Sequence, residues 1–169
     1  MFDLRPVGYV IGLLVTMLGF AMLLPLVVDV AEGLAHWPAF AESAMITILV
    51  GGILSLSCAN AVRQELTIPQ TFILTTGVWL MLPIFGALPF FFGATEARYV
   101  DAFFEAMSGL TTTGSTVFFG LETLPKGLLL WRGILQWLGG IGIIVVAMVF
   151  LPELRVGGMQ IFRSEGFDT

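Results

Sequence analysis

The sequence is poor in cysteine, histidine and charge. Its 169 residues include one Cys and one His, and only 11% are charged, against about 25% in soluble domains. The single Cys58 excludes a disulfide scaffold, and with the single His36 it argues against a Cys/His metal site. The net charge of -5 and the absence of a Lys/Arg cluster argue against a nucleic-acid partner. No HExxH, GxSxG or GxxxxGK[ST] motif occurs, so we expect the protein not to be an enzyme.

The residues that are abundant are apolar. Hydrophobic residues make up 57% of the chain, with 15 Phe, and the mean hydropathy is +0.98. A chain of this composition cannot cover itself with a polar surface, so lipid must be its solvent over much of its area. The composition predicts an all-α polytopic membrane protein whose surroundings are a lipid bilayer.

Uncharged runs of 20 to 30 residues predict four membrane spans. They are Pro6–Val28, Ser43–Val62, Leu66–Thr95 and Gly133–Pro152. The third run is longer than a span requires, and we expect its helix to extend from near Pro69 to near Leu88 with a kink around Pro83. Four spans place both termini on one side of the membrane, and a small excess of arginine there predicts the cytoplasmic side.

Between the third and fourth spans the pattern changes. Residues 98–110 read RYVDAFFEAMSGL, a helical stretch of about 20 Å that is too short to cross a membrane. The Thr and Gly residues that follow disfavour a helix, although residues 106–121 carry no charge. Such backbone is tolerated at membrane depth where it lines a water-filled path or is buried in protein. We expect a re-entrant loop; the alternative is a Thr/Gly-rich turn outside the membrane.

The loop has the chemistry of an ion-selectivity filter. A dehydrated monovalent cation needs several oxygens in place of its water, and closely spaced backbone carbonyls supply them without charge. Glycine in the loop can adopt the unusual backbone conformations that align carbonyls, and the C-terminus of the preceding helix would face the cation with its partial negative charge. Four such loops are needed to surround an ion. The candidate site residues are Thr111, Thr112, Thr113, Gly114 and Ser115.

Several polar side chains near the loop have two interpretations each. Asp101 and Glu105 form either a negative vestibule that concentrates cations or a solvated helix face, with Arg98 as a partner. Arg132 either reaches the membrane interface or pairs with one of these two carboxylates. Two amides are expected to form hydrogen bonds between helices or, less simply, to contact an ion: Gln136 and Asn60.

Glycines and aromatic residues mark packing and membrane interfaces. Gly139, Gly140 and Gly142 favour close helix packing and also leave space for the re-entrant loop. We expect three aromatic residues near the span ends to lie at the membrane interface: Trp37, Tyr99 and Trp131.

At these residues the chain resembles a known family. Residues 101–116, DAFFEAMSGLTTTGST, followed by residues 131–142, WRGILQWLGGIG, are similar to the first repeat of TrkH-type potassium uptake proteins of the Trk/Ktr/HKT superfamily. The resemblance implies two N-terminal transmembrane helices in residues 1–65. It implies one helix–re-entrant pore loop–helix repeat of a potassium-channel-like pore in residues 66–155, with a pore helix at about 99–110 and the filter at 111–116. Residues 156–169 would be a cytoplasmic segment leading to further repeats.

The resemblance also implies a function. Potassium would be coordinated by the loop carbonyls and taken up across the cytoplasmic (inner) membrane, by a homodimer with a cytosolic nucleotide-binding regulatory subunit of the TrkA type. Because one repeat is present, the chain would supply one of four filter segments as part of a longer chain. Two alternatives stay open: a homotetrameric cation channel, and a non-conducting membrane scaffold that binds a partner.

Overall fold

The computed structural model describes residues 3–61 and 66–164, which form seven α-helices and two short 3-10 turns. Within these residues, four stretches are long and apolar enough to cross a membrane, Arg5–Ala31, Trp37–Cys58, Ile68–Phe92 and Lys126–Val149. The predicted all-α polytopic membrane fold is therefore confirmed. The helices are α1 (Arg5–Ala21), α2 (Leu23–Ala31), α3 (Trp37–Cys58), α4 (Ile68–Gly86), α5 (Leu88–Phe92), α6 (Tyr99–Leu110) and α7 (Lys126–Ser164).

The first span is interrupted, which the sequence analysis did not anticipate. Helices α1 and α2 meet at Met22. Pro25 has no N–H to donate to the carbonyl of Ala21, four residues earlier, and its ring crowds that carbonyl. The N–H of Met22 is shared between the carbonyls of Leu18 and Gly19, at 3.2 Å each. The helix therefore tightens at this point and continues in a second segment.

The third span begins and ends close to the predicted bounds. Thr67 and Gln70 form a capping box at the start of α4, with the Thr67 N–H donating to the Gln70 side-chain oxygen at 2.8 Å. Such a pair satisfies amide groups that the first turn leaves without a partner. Pro83 lies inside the last turn of α4, and the short helix α5 follows after one residue.

The fourth span is part of a longer helix than predicted. Helix α7 has 39 residues, so it begins before the predicted Gly133 and continues beyond Pro152. An uncharged run ends at the first charged residue on either side. A helix can continue past that residue when the charged side chain has a partner. Of the predicted cytoplasmic segment 156–169, residues 156–164 continue α7. The last five residues, and the predicted boundary at residue 65, lie outside the described residues.

Glycines bring α1 and α3 into backbone contact. A Cβ added at Gly12 would lie 2.8 Å from the Gly51 carbonyl oxygen, and one added at Gly51 would lie 2.6 Å from the Thr16 N–H nitrogen. Close approach through small residues is the usual way in which helices associate inside a membrane. The first two spans therefore form a tightly packed hairpin.

The core lies where the hairpin, α5, α6 and α7 meet, and Trp131 is at its centre. Trp131 is fully buried, packs edge-on against Phe40 with 6.4 Å between ring centroids, and donates its indole N–H to the Gly86 carbonyl at 2.9 Å. The prediction that Trp131 lies at the membrane interface is therefore wrong, because its polar group finds a partner inside the protein. Trp37 and Tyr99 are partly exposed.

Two polar contacts fix the start of α7 to the end of α2. A carboxylate oxygen of Asp29 accepts a hydrogen bond from the Gly127 N–H at 2.9 Å, and Lys126 forms a salt bridge with Glu32, also at 2.9 Å. Asp29 is fully buried, although the sequence places it in an extramembrane loop. The amide groups at a helix start need acceptors, and here the acceptor comes from another helix.

Candidate functional site

The short helix α6 begins on an ion pair and buries one face. Arg98, just before the helix, and Asp101, in its first turn, form a salt bridge of 2.9 Å. A negative charge in a first turn is also favourable to the helix dipole. Ala102 and Ala106 are fully buried and face the core. With 12 residues, α6 has a length of about 18 Å, too short to cross a ~30 Å hydrocarbon layer.

The C-terminal end of α6 lies directly against α7. A Cβ added at Gly139 would overlap the carbonyl group of Leu110, the last residue of α6. One turn earlier, a Cβ added at Gly109 would lie 3.2 Å from the Cβ of Leu135. Glycine at 139 therefore leaves the space in which α6 ends, as the small residues of the fourth span indicated.

The loop after α6 is held by hydrogen bonds to the last turn of that helix. The N–H of Thr112 donates to the Gly109 carbonyl at 3.0 Å. The N–H groups of Thr113 and Gly114 both donate to the Ser108 carbonyl, at 3.0 and 3.3 Å. The φ angles of Thr112 and Gly114 are +56° and +78°, a left-handed conformation that glycine adopts easily and that is uncommon for threonine.

These hydrogen bonds determine where the loop carbonyls point. In a trans peptide the C=O of one residue points opposite to the N–H of the next, and no described peptide bond is cis. Because the three N–H groups point to α6, the carbonyls of Thr111, Thr112 and Thr113 point away from it. The carbonyl of Ser115 is turned the other way, since it accepts a hydrogen bond from the Ser108 hydroxyl at 2.6 Å.

The threonine hydroxyls complete the first part of the loop. The hydroxyl of Thr111 donates to the Met107 carbonyl at 2.8 Å and lies 2.8 Å from the hydroxyl of Thr113. Residues 112–117 are exposed on the surface of this chain. Exposed polar backbone is not stable against lipid, so this surface requires water or further protein beside it.

Glu105 is a buried anchor for the end of the loop. Its side chain is 1% exposed, and one of its oxygens forms a salt bridge of 2.7 Å with the Nε of Arg132 on α7. The other oxygen accepts hydrogen bonds from the Thr116 hydroxyl at 3.0 Å and from the Val117 N–H at 3.1 Å. Both interpretations offered from the sequence, a vestibule charge and a solvated face, are therefore wrong for Glu105.

The remaining predicted residues have simpler environments. Arg132 takes the pairing interpretation rather than the interfacial one, and Asp101 pairs with Arg98. Gln136 and Asn60 are exposed, and they form no interhelical hydrogen bond within the part of the chain that the structure describes.

Two residues that organise this region were missed by sequence reasoning. Ser108 contributes both its carbonyl and its hydroxyl to the loop, and a serine in the last turn before a non-helical segment is a signal that such bonding favours. Asp29 is buried against the start of α7, and its second oxygen has no hydrogen-bond partner among the residues that the structure describes. Its position at the end of an uncharged run made it look like an ordinary loop acid.

Taken together, these features define a class of protein. Four apolar spans hold a short helix between the third and the fourth, and the helix is followed by a loop with aligned carbonyls directed away from it. This is a polytopic membrane protein with a short helix and an exposed loop between its third and fourth spans.

Comparison with known proteins specifies the family. The family described as TrkH, cation transport protein, matches residues 36–167. The Trk system potassium uptake protein TrkH of Halomonas elongata is 40% identical over 164 residues, covering 96% of this chain and 34% of that protein. TrkH of Escherichia coli is 38% identical over 162 residues, covering 95% and 33%. The chain belongs to the TrkH family of cation transport proteins.

The fold agrees with a solved member of the family. The crystal structure of the potassium transporter TrkH from Vibrio parahaemolyticus matches with a TM-score of 0.85 at 34% identity, over 93% of this chain and 34% of that one. The chain therefore spans about a third of the length of the curated relatives it matches.

Proposed function

We propose that this chain supplies one of four segments of a potassium-selective filter, in a protein that takes up potassium across the cytoplasmic membrane. The relatives named as potassium uptake proteins support potassium as the ion. In this proposal the backbone carbonyls of the loop replace the water around the ion. The contributing residues are Thr111, Thr112, Thr113, Gly114 and Ser115.

The direction of the loop carbonyls is the observation that carries the proposal. Those of Thr111, Thr112 and Thr113 follow one another and point away from α6, so they form a row of uncharged oxygens of the kind that selectivity filters use. The C-terminus of α6 adds partial negative charge behind them. The carbonyl of Ser115 is turned to the Ser108 hydroxyl, so Ser115 is included on the resemblance alone and not on the direction of its carbonyl.

The proposal includes an assembly. The matched relatives are about three times as long as this chain, and we assign the other filter segments to a chain of that length rather than to four copies of this one. Residues 1–65 would be the N-terminal hairpin and residues 66–155 the first pore repeat. Both termini would be cytoplasmic, and the resemblance adds a homodimer and a TrkA-type regulatory subunit.

A matched pair of glycine variants tests the filter assignment. Gly114 and Gly33 have φ of +78° and +67°, and at neither would an added Cβ meet an atom within 4 Å. Gly→Ala therefore adds the same left-handed backbone strain at both, about 1–2 kcal/mol. We expect Gly114→Ala in the full natural chain to lower potassium uptake and the preference for K⁺ over Na⁺, in cells that lack their own uptake systems. Gly33→Ala, in the connection between α2 and α3, should leave both unchanged.

The readouts are uptake rate and ion preference at equal amounts of protein in the membrane. If Gly114→Ala and Gly33→Ala behave alike in both, the loop is a structural turn and the filter assignment is withdrawn.

A further inference from the structure

Behind the loop lies a polar network that the transported ion would not touch. Glu105 is buried, and its two oxygens face different partners: Arg132 on one side, and the Thr116 hydroxyl and Val117 N–H on the other. Residues 116 and 117 are the far end of the loop that begins at Thr111. One carboxylate therefore connects helix α7 to the end of the loop.

Within residues 3–61 and 66–164, every partner of this carboxylate is a hydrogen-bond donor. The Nε–H of Arg132 and the N–H of Val117 can only donate, and the Thr116 hydroxyl donates here. Both oxygens of Glu105 therefore act as acceptors, the arrangement for which a carboxylate is suited. In a glutamine, the amide oxygen would satisfy one side, and the NH₂ group would face a donor on the other side.

Charge balance explains why a carboxylate is tolerated in this buried site. A buried charge is tolerated when it is paired and its remaining lone pairs are hydrogen-bonded. Arg132 supplies the opposite charge, and its own side chain is only 17% exposed. The pair is neutral as a whole, so it adds little net field at the loop while holding the loop by charge-assisted hydrogen bonds.

We propose that Glu105, paired with Arg132, is a positioning residue for ion selection: it sets the geometry of the loop through Thr116 and Val117, and the preference for K⁺ over Na⁺ depends on it. This inference rests on the proposed function of the loop. Potassium and sodium differ mainly in size, so discrimination by carbonyls requires that their positions and number be maintained.

A purely structural role for Glu105 predicts a different result. If the network only stabilised the fold, its loss would reduce the amount of protein and the maximal uptake rate, and the molecules that reach the membrane would select ions normally. A positioning role changes the KM for potassium and the K⁺/Na⁺ uptake ratio of those molecules. The ratio and the KM, measured per molecule in the membrane, are therefore the deciding readouts.

The experiment uses three variants of the full natural chain. Glu105→Gln puts a donor against a donor. Thr116→Val removes the hydroxyl that donates to Glu105 and accepts from the Phe118 N–H, and it leaves the buried ion pair intact. Glu122→Gln is the control, because it removes the same charge from an exposed side chain on the connection after the loop. Gly114→Ala serves as the reference for the filter itself.

We expect Glu105→Gln to lower the K⁺/Na⁺ ratio about tenfold, which corresponds to one charge-assisted hydrogen bond. Thr116→Val should lower it less, and the double variant should show less than the sum of the two single effects, since the two changes share the contact between Glu105 and Thr116. Glu122→Gln should have no effect. If Glu105→Gln does not reach the membrane, the K⁺/Na⁺ uptake ratio of Thr116→Val still tests the positioning role.

The outcomes separate this inference from the filter assignment. An unchanged ratio and KM in Glu105→Gln and Thr116→Val, with an altered ratio in Gly114→Ala, overturns the positioning role and leaves the filter standing. An unchanged ratio in Gly114→Ala overturns both. Equal effects of Glu105→Gln and Glu122→Gln would show that charge at a distance, and not position, is responsible, which also overturns it.

Discussion

The contact between Gly139 and the end of α6 leads to a quantitative prediction. A Cβ added at Gly139 would lie 2.5 Å from the carbonyl carbon of Leu110 and 2.8 Å from its Cα, besides overlapping the carbonyl oxygen. Carbon atoms pack at about 3.5–4.0 Å, so in Gly139→Ala the end of α6 must move away from α7 by about 1 Å. The obstructing atoms are backbone, and no side-chain rotation can relieve the overlap.

The neighbouring Gly140 provides a matched control. A Cβ added there would meet no atom within 4 Å. Both substitutions gain about 0.5–1 kcal/mol from the higher helix propensity of alanine. Only Gly139→Ala adds the overlap, and overpacking of this kind costs about 1–3 kcal/mol. The difference in free energy of unfolding between the two variants is therefore about 1–3 kcal/mol, with Gly139→Ala the less stable.

Stability and transport should change together at this position. Leu110 is followed directly by the loop, so a displacement of α6 moves the loop carbonyls with it. We expect Gly139→Ala to lower the thermal midpoint in detergent and the K⁺/Na⁺ uptake ratio, and Gly140→Ala to lower neither. Equal midpoints for the two variants would refute the packing argument. A lowered midpoint with a normal ratio would show that the loop is not rigidly coupled to α6.

Two further substitutions test buried polar contacts. Asp29→Asn should keep the acceptor for the Gly127 N–H while removing the oxygen that has no partner among the described residues, so we expect a thermal midpoint equal to or above that of the parent. Asp29→Ala should lower the free energy of unfolding by about 1–3 kcal/mol. Equal losses in both variants would mean that the charge itself is needed. Trp131→Phe should lower the free energy of unfolding by about 1–3 kcal/mol, because it leaves the buried Gly86 carbonyl without the indole donor. Trp137→Phe is the control: its side chain is 68% exposed, and its thermal midpoint should not change.

The sequence predicted the features that depend on local composition. Uncharged runs identified all four spans, because a helix in lipid must be apolar along its whole length. The bounds of α6 agreed with the expected helix at 99–110, since the apolar spacing and the Thr/Gly segment after it are both local signals. The same local signals predicted that residues 111–116 are not helical.

Features that depend on partners distant in sequence could not be predicted. Asp29 and Trp131 each have a buried partner on another helix, so their polarity was a poor guide to their location. Glu105 and Arg132 lie 27 residues apart, and their pairing was one option among several. The break at Met22 was predictable in principle, because Pro25 removes one hydrogen bond of the helix, but the uncharged run concealed it.

The role of Ser108 has a consequence for how an ion would meet this chain. Its carbonyl and hydroxyl together restrain three loop residues, Thr113, Gly114 and Ser115. The conformational entropy of the loop is therefore lost when the protein folds, and not when an ion arrives. A cation entering such a loop exchanges its water for oxygens that already have their orientation. Ordering of the loop then adds no free-energy barrier when an ion enters and releases no conformational entropy when the ion leaves. Both conditions allow ions to pass quickly.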